Sequence, residues 1–170
     1  MWPVLVGLLG LYLLPAAGAQ AAPVARGAAA SAQRAAYATT SAADFERRLF
    51  ARTNARRTAR GCRPLRHDAA LARAAQRHST LMLMRASLSH RVAGEDDLSV
   101  RVPAAGYVHW RILAENLAWG QRTPRRLFRD WVASPTHRAN LDNCRLRDLG
   151  IAVVFDHGRP WVTADFGRHS

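Results

Sequence analysis

Two helix starts, eleven residues apart, constrain the fold of this chain more than any other feature. Thr123-Pro124 and Ser134-Pro135 each set a capping hydroxyl directly before a proline at the first helical position. Between them Leu127, Phe128 and Trp131 recur at helical spacing. The spacing predicts a helix from Thr123 to about Ala133 with one face buried. Two ionisable residues flank it: Glu115, ahead of Asn116-Leu117-Ala118-Trp119-Gly120, and His137, just inside the second helix start. A helix packed on the core folds the chain back and can bring Glu115 and His137 together. A third candidate, His90, follows a long apolar segment in Leu88-Ser89-His90.

The chain has 170 residues, enough for one domain with its own core, and is 49% hydrophobic and 22% charged, a globular balance. Its formal net charge is +13, and every basic side chain is arginine. One reading is a genome whose base composition favours arginine codons. The other is attraction to polyanions, either anionic envelope polymers or lipids. Sequence-specific nucleic-acid binding is excluded as an expectation, because there is no zinc-finger spacing, no aromatic stacking motif and no long basic helix.

Residues 1–19 read as a secretory signal peptide. The apolar run Val4 to Leu14 is too short for a membrane span, and Ala17-Gly18-Ala19 fits a small-x-small cleavage site. Secretion to an extracellular location is therefore expected, with no transmembrane span after signal removal. Residues 20–42 are Ala-rich with scattered Gly, Pro and Arg, and read as a flexible linker. Ser41 opens a capping-box-like pattern, and Phe45 and Leu49 face inward on a first helix running to about Thr58, with Gly61 ending it. Asn54 and Arg57 are read as the C-terminal turn of that helix, with a cation favourable to its dipole. A second helix runs from Ala69 to about Ala86 with Leu71, Ala75, His78 and Met82 as its buried stripe. His78 there is expected to be a hydrogen-bonded core histidine. Gly94-Glu95-Asp96-Asp97 reads as a solvated loop, and a short helix follows around Leu98 to Ala105. Leu149 to Phe155, the turn Asp156-His157-Gly158 and Trp161 to Phe166 form a terminal hairpin. Helices first and a hairpin last suit an α+β domain.

The motifs Ser-Leu-Ser-His (87–90), Ala-Ala-Gly-Tyr (104–107), Ala-Glu-Asn-Leu-Ala-Trp-Gly (114–120), Ser-Pro-Thr-His-Arg (134–138), Leu-Gly-Ile-Ala-Val-Val-Phe (149–155) and Trp-Val-Thr-Ala-Asp-Phe-Gly (161–167) occur in that order. Together they resemble a bacterial member of the CAP superfamily, which groups cysteine-rich secretory, antigen 5 and pathogenesis-related proteins. The resemblance covers about Ala43 to Gly167, so residues 43–168 are taken as the SCP-like domain. It implies a three-layer α-β-α sandwich with a small antiparallel sheet. Asn54 and Arg57 match an N-x-x-R pattern of the bacterial relatives. The resemblance also implies a cleft lined in animal and plant members by two His and two acidic residues. His90 matches the first His and Glu115 the Glu of the family motif. The second acidic position falls at Ser134 and the second His at about Trp161, so both are missing here. His137, in the bacterial Ser-Pro-x-His-Arg motif, is the expected substitute.

Two imidazoles and a carboxylate suit zinc or another borderline divalent ion with open positions left over. His90, Glu115 and His137 are thus the candidate metal ligands, and a small polar ligand is the alternative occupant. Three functions stay open: a binding module acting at the envelope or outside the cell, a hydrolase using the same cleft, and a structural protein with a vestigial cleft. Ser134 lies three residues before His137, which makes a Ser-His-Glu nucleophile conceivable, but Ser134-Pro135 is also an ordinary helix start. Cys62 and Cys144 are the only cysteines, and export to an oxidising compartment predicts that they pair.

Overall fold

The computed structural model describes residues 42–170. The expected signal peptide, the cap at Ser41 and the expected linker lie outside the described residues, except Ala42, which is already helical. The order of elements is α1 (42–59), β1 (Arg66–His67), α2 (Ala69–Met84), α3 (Leu98–Ala104), β2 (Trp110–Trp119), α4 (Pro124–Ala133), α5 (Pro135–Asp142), β3 (Asp148–Asp156) and β4 (Arg159–His169).

The four strands form one sheet in the order β1-β3-β4-β2. The terminal hairpin is present as expected, and its turn carries positive φ at His157 and Gly158, the conformation that matches the twist of tightly joined strands. The sheet is mixed rather than wholly antiparallel, because the two-residue β1 runs parallel to β3. The strand β2 was not legible as a strand: Ala114 to Trp119 has neither strict alternation nor β-branched residues. It pairs with β4 over its whole length.

Helices cover both faces, which makes the three-layer α-β-α sandwich. On one face Phe45 and Leu49 of α1, Leu127 and Trp131 of α4 and Leu141 of α5 pack on Leu149, Ile151, Val153, Val162, Ala164 and Phe166. On the other, Met82 of α2 meets Leu117 and Trp161, and Val102 of α3 packs with Tyr107 and Leu113. The α2 stripe expected from spacing is buried, with Ala70, Ala74 and Ser79 added. Its close approach to the sheet depends on Gly150, where an added Cβ would collide with the backbone of Leu71 and Ala72.

Arg57 is not a solvated helix-end cation. It is fully buried and donates to four backbone carbonyls, those of Arg63, Leu141, Asn143 and Leu146, at 3.0–3.1 Å. Burial lowers its pKa, as does the charge of Arg147. Asn54 beside it exchanges two bonds with the backbone of Leu65. The Cys62–Cys144 disulfide joins the same segments, with its Cα atoms 4.9 Å apart at a sequence separation of 82. A closed loop of that length restricts the unfolded chain by about 4 kcal/mol in the entropic description. Arg57 and the disulfide therefore restrain one junction twice. Urea unfolding should show that reduction and Arg57→Met each destabilise the domain by about 3 kcal/mol or more. Applied together they should cost more than the sum, because each single change leaves the other holding the junction. Strict additivity would mean that the two act on separate parts of the fold.

Candidate functional site

Strand alternation decides where Glu115 goes. Leu113 and Leu117 pack toward α2 and α3, so Glu115 between them faces the same way. Its partner across the strand pair is Asp165 of β4. Two carboxylates thus sit side by side on the inner face of a sheet, and both are buried.

Three elements bring the countercharges. Arg101, buried on α3, pairs with Glu115 Oε2 and donates to the carbonyl of His90 at 3.1 Å. It also lies 4.0 Å from Glu95 and 4.0 Å from Asp165. His90, in the loop after α2, bonds through Nδ1 to Glu115 Oε1 at 2.7 Å. His78 of α2 bonds through Nδ1 to Glu95 at 2.6 Å and holds Nε2 3.7 Å from Glu115. His78 is therefore the bonded core histidine that its position predicts. Glu95 is not part of a solvated loop, since its side chain is only 10% exposed and closes over His78 and Arg101.

Burial alone would raise the pKa of Glu115. The bond from His90 and the charges of Arg101 and His78 outweigh it, so the carboxyl is held below its usual range. His90 is raised, first by its bond to Glu115. Asp165 goes the other way: burial, then the charge of Glu115, hold it well above the usual carboxylate range. Among the described residues, neither of its oxygens has a hydrogen-bond partner. The two carboxyls are thus shifted in opposite directions, Glu115 toward the ionised form and Asp165 toward the neutral one.

His90 and Glu115 are brought into contact as expected. His137 stands next to them without bonding to either. Its carbonyl accepts from Asn116 at 3.1 Å, and its ring centroid lies 6.4 Å from that of Trp131. Its pKa is lowered by burial and then by the charge of His90, so this imidazole is neutral at pH 7. Asn140 donates to the Glu115 carbonyl at 3.0 Å and to Asn116 Oδ1 at 2.9 Å, tying α5 to the free edge of β2. Ser134 shares its hydroxyl with Thr136 at 3.2 Å, so it is a helix-start residue and is not paired with His137.

The donor set bears on the metal expectation. Among the described residues, no group of three or more His, Cys, Asp or Glu side chains is arranged to hold an ion. Glu115 has both oxygens engaged, by Arg101 and by His90. Its chemistry fits the carboxylate that backs a ligating imidazole rather than a direct ligand. The open nitrogen of His90 and the neutral ring of His137 are what could hold a divalent ion.

Arg101 and Asp165 were missed from sequence. Arg101 is one of many arginines and carries no motif of its own. Asp165 becomes visible only through the β2–β4 register. The signal available was the acidic residue inside the otherwise apolar run Trp161 to Phe166.

The raised pKa of Asp165 fixes the sign of a test. A carboxyl raised on folding takes up a proton as the chain folds, so its contribution to stability falls as pH rises from the unfolded value, about 3.9, toward the folded one. Asp165→Asn removes that loss, and should raise stability at pH 7 more than at pH 4. Glu115 has the opposite sign, with its contribution present above its unfolded value and lost as pH falls through its lower folded value. Glu115→Gln should cost about 3 kcal/mol or more at pH 7, since it leaves Arg101 buried without its close partner. Chemical denaturation across pH reads both. Asp165→Asn that is less stable than wild type at pH 7 would show that Asp165 is ionised and needed as such.

Comparison with known proteins places this site in a family. The model of the cysteine-rich secretory protein (CAP) family matches residues 50–166. The uncharacterized protein YkwD of Bacillus subtilis is 27% identical over 115 residues, which are 68% of this chain and 44% of that one. An extracellular protein with an SCP domain from Bacillus anthracis superposes with a TM-score of 0.69 at 26% identity, covering 75% of this chain and 41% of that one. An outer surface protein of Borrelia burgdorferi shares the fold, with a TM-score of 0.67 at 19% identity over 72% of this chain and 90% of that one. The chain thus spans less than half the length of the two Bacillus proteins it matches. A family model that covers residues 50–166, nearly the whole described domain, establishes that this chain belongs to the cysteine-rich secretory protein (CAP) family.

Proposed function

We propose that the chain is an extracellular or envelope-associated binding module that takes a small polar ligand over His90 and Glu115. One observation carries this reading: the His90 side chain is 64% exposed while the Glu115 side chain beneath it is 3% exposed. A buried anion with a built set of partners orients one ring toward solvent. Glu115 accepts at Nδ1, so it fixes the tautomer and leaves Nε2 to meet a ligand. Protonated, His90 donates to an anionic or carbonyl oxygen; neutral, it accepts from a hydroxyl or amide. His137, near enough for the charge of His90 to lower its pKa, is the neighbour that would complete the contacts. The extracellular placement is supported by relatives described as extracellular or outer-surface proteins. Among the described residues, no helix is long and apolar enough to cross a membrane.

A divalent ion is the second reading, favoured by the Glu115–His90 bond. A carboxylate behind an imidazole raises its basicity toward a metal, and His137 is neutral and ready to ligate. Such an ion would polarise a ligand oxygen when bound. A hydrolase acting through Ser134 has no support, since its hydroxyl is turned to Thr136.

Histidine-ring NMR and zinc calorimetry test the two readings on wild type, His90→Ala, His137→Ala and Glu115→Gln. His90 should titrate above His137 in wild type, and Glu115→Gln should bring the His90 pKa down. Small carboxylates and sugars used as probes should shift the ring signals of His90 and His137. Shifts that cluster elsewhere would end the cleft reading. If zinc binds, either alanine variant should abolish it, and Glu115→Gln should weaken it about 10–100-fold. Zinc binding that is indifferent to all three variants would place the ion at another site.

A further inference from the structure

A further concave surface lies away from His90. A groove of 630 Å³ runs between α1, the start of α4 and the β3–β4 hairpin, with Arg48, Arg52, Arg122 and Arg125 on its walls. Phe45, Pro124 and Phe155 form its apolar floor. A second groove of 610 Å³ shares Arg122 and Thr123 with the first and continues to Arg126 and Trp119. The two adjoin at Arg122 and Thr123, and taken together as one channel they carry five arginines against two acidic residues, Asp44 and Asp130. Asp44 is already paired with Arg47 and Arg48. The guanidiniums of Arg52, Arg122, Arg125 and Arg126 have no hydrogen-bond or carboxylate partner among the described residues.

Like charges gathered in one concavity repel each other within a Debye length, about 8 Å at physiological salt. Such an arrangement holds its energy in reserve for an anion. Guanidinium forks match phosphate oxygens two at a time, which a compact ammonium does not. The positive end of the α4 dipole opens into the same channel and adds to the field. At the far end Trp119 is 41% exposed, with the Arg159 guanidinium 5.6 Å from its ring centroid. The cations line a continuous concave path, so a flat bilayer would meet its rim and a single small anion would fill a fraction of it.

We propose that this arginine channel is a docking site for a linear phosphate-bearing polyanion, in which successive phosphates run from Arg52 past Arg122 toward Arg126. The site is separate from the His90 cleft and does not depend on what the cleft binds. It turns the net charge of +13 from a diffuse property into a local one.

The test uses the full chain with its disulfide intact and inorganic polyphosphate of defined length as the probe. Two triple variants lose the same charge. Arg52→Gln/Arg122→Gln/Arg125→Gln strips the channel, and Arg85→Gln/Arg111→Gln/Arg145→Gln strips exposed arginines elsewhere. All six side chains are at the surface, and circular dichroism confirms that each variant is folded. Polyphosphate should bind wild type with an affinity that falls steeply with salt. The channel variant should bind about tenfold more weakly or worse, and the control should stay within about twofold. Orthophosphate at equal phosphate concentration should compete poorly. Equal losses in the two triples would show diffuse attraction and overturn the proposal. So would the absence of polyphosphate binding at low salt. Channel-dependent binding to phosphatidylglycerol vesicles without polyphosphate binding would make the occupant a membrane, and would overturn it too.

Discussion

The ion pair between Arg101 and Glu115 is the interaction on which the candidate site depends. Three carboxylates from three parts of the chain converge there: Glu95 from the loop after α2, Glu115 from β2 and Asp165 from β4. Without a cation among them they would repel at short range and low dielectric. Arg101 is 8% exposed and reaches all three, and its bond to the His90 carbonyl fixes the loop that carries the exposed imidazole. A buried ion pair is not in itself a source of stability, because desolvation of both partners offsets their attraction. What it supplies here is position. In the packing of α3 against the sheet, it is this guanidinium, and not an apolar side chain, that covers Glu115.

Glu115 is held from its backbone as well. The strand β2 is the edge of the sheet, and its outward carbonyls would otherwise be free to pair with another chain. Trp131 Nε1 donates to the Leu117 carbonyl at 2.8 Å, and Asn140 donates to that of Glu115 at 3.0 Å. The opposite edge receives the same treatment: β1 is only two residues long, and Glu46 accepts the Val153 N–H at 2.9 Å. Both edges are thus closed by helix side chains. The helices that cover the sheet also fix the strand that bears the site, so packing and site geometry have a common cause.

Much of this was legible in the sequence, and the failures share one physical origin. The helices α2, α4 and α5, the terminal hairpin, the disulfide and the contact of His90 with Glu115 followed from caps, periodicity, the two cysteines and the order of motifs. Each of those signals is local or is fixed by elimination. The burial of Arg57, the partnership of His78 with Glu95, the role of Arg101 and the pairing of Glu115 with Asp165 were not legible. All four depend on long-range apposition, which a residue's own neighbourhood does not encode. An arginine bonded to four carbonyls and one lying in solvent look alike in a chain with no lysine. The strand β2 was missed because its residues are chosen for the site and not for the pleat: Glu115 and Asn116 stand where a strand pattern would place branched apolar side chains.

The segment from β2 through α5 serves both the cleft and the arginine channel, yet the two differ in their physics. Helix α4 turns its start into the channel, while Trp131 near its end bonds Leu117, two residues from Glu115. Apart from the exposed His90 ring, the charges of the cleft are buried and meet partners within a few ångströms, so added salt reaches them weakly. The charges of the channel stand in water, and all of its arginines but Arg48 lack partners among the described residues, so salt screens them strongly. One scaffold therefore carries a buried charge cluster that responds to pH, through His90, Glu115 and Asp165, and a surface patch that responds to ionic strength. The two can be read apart in solution because burial, and not distance along the chain, decides which variable each one senses.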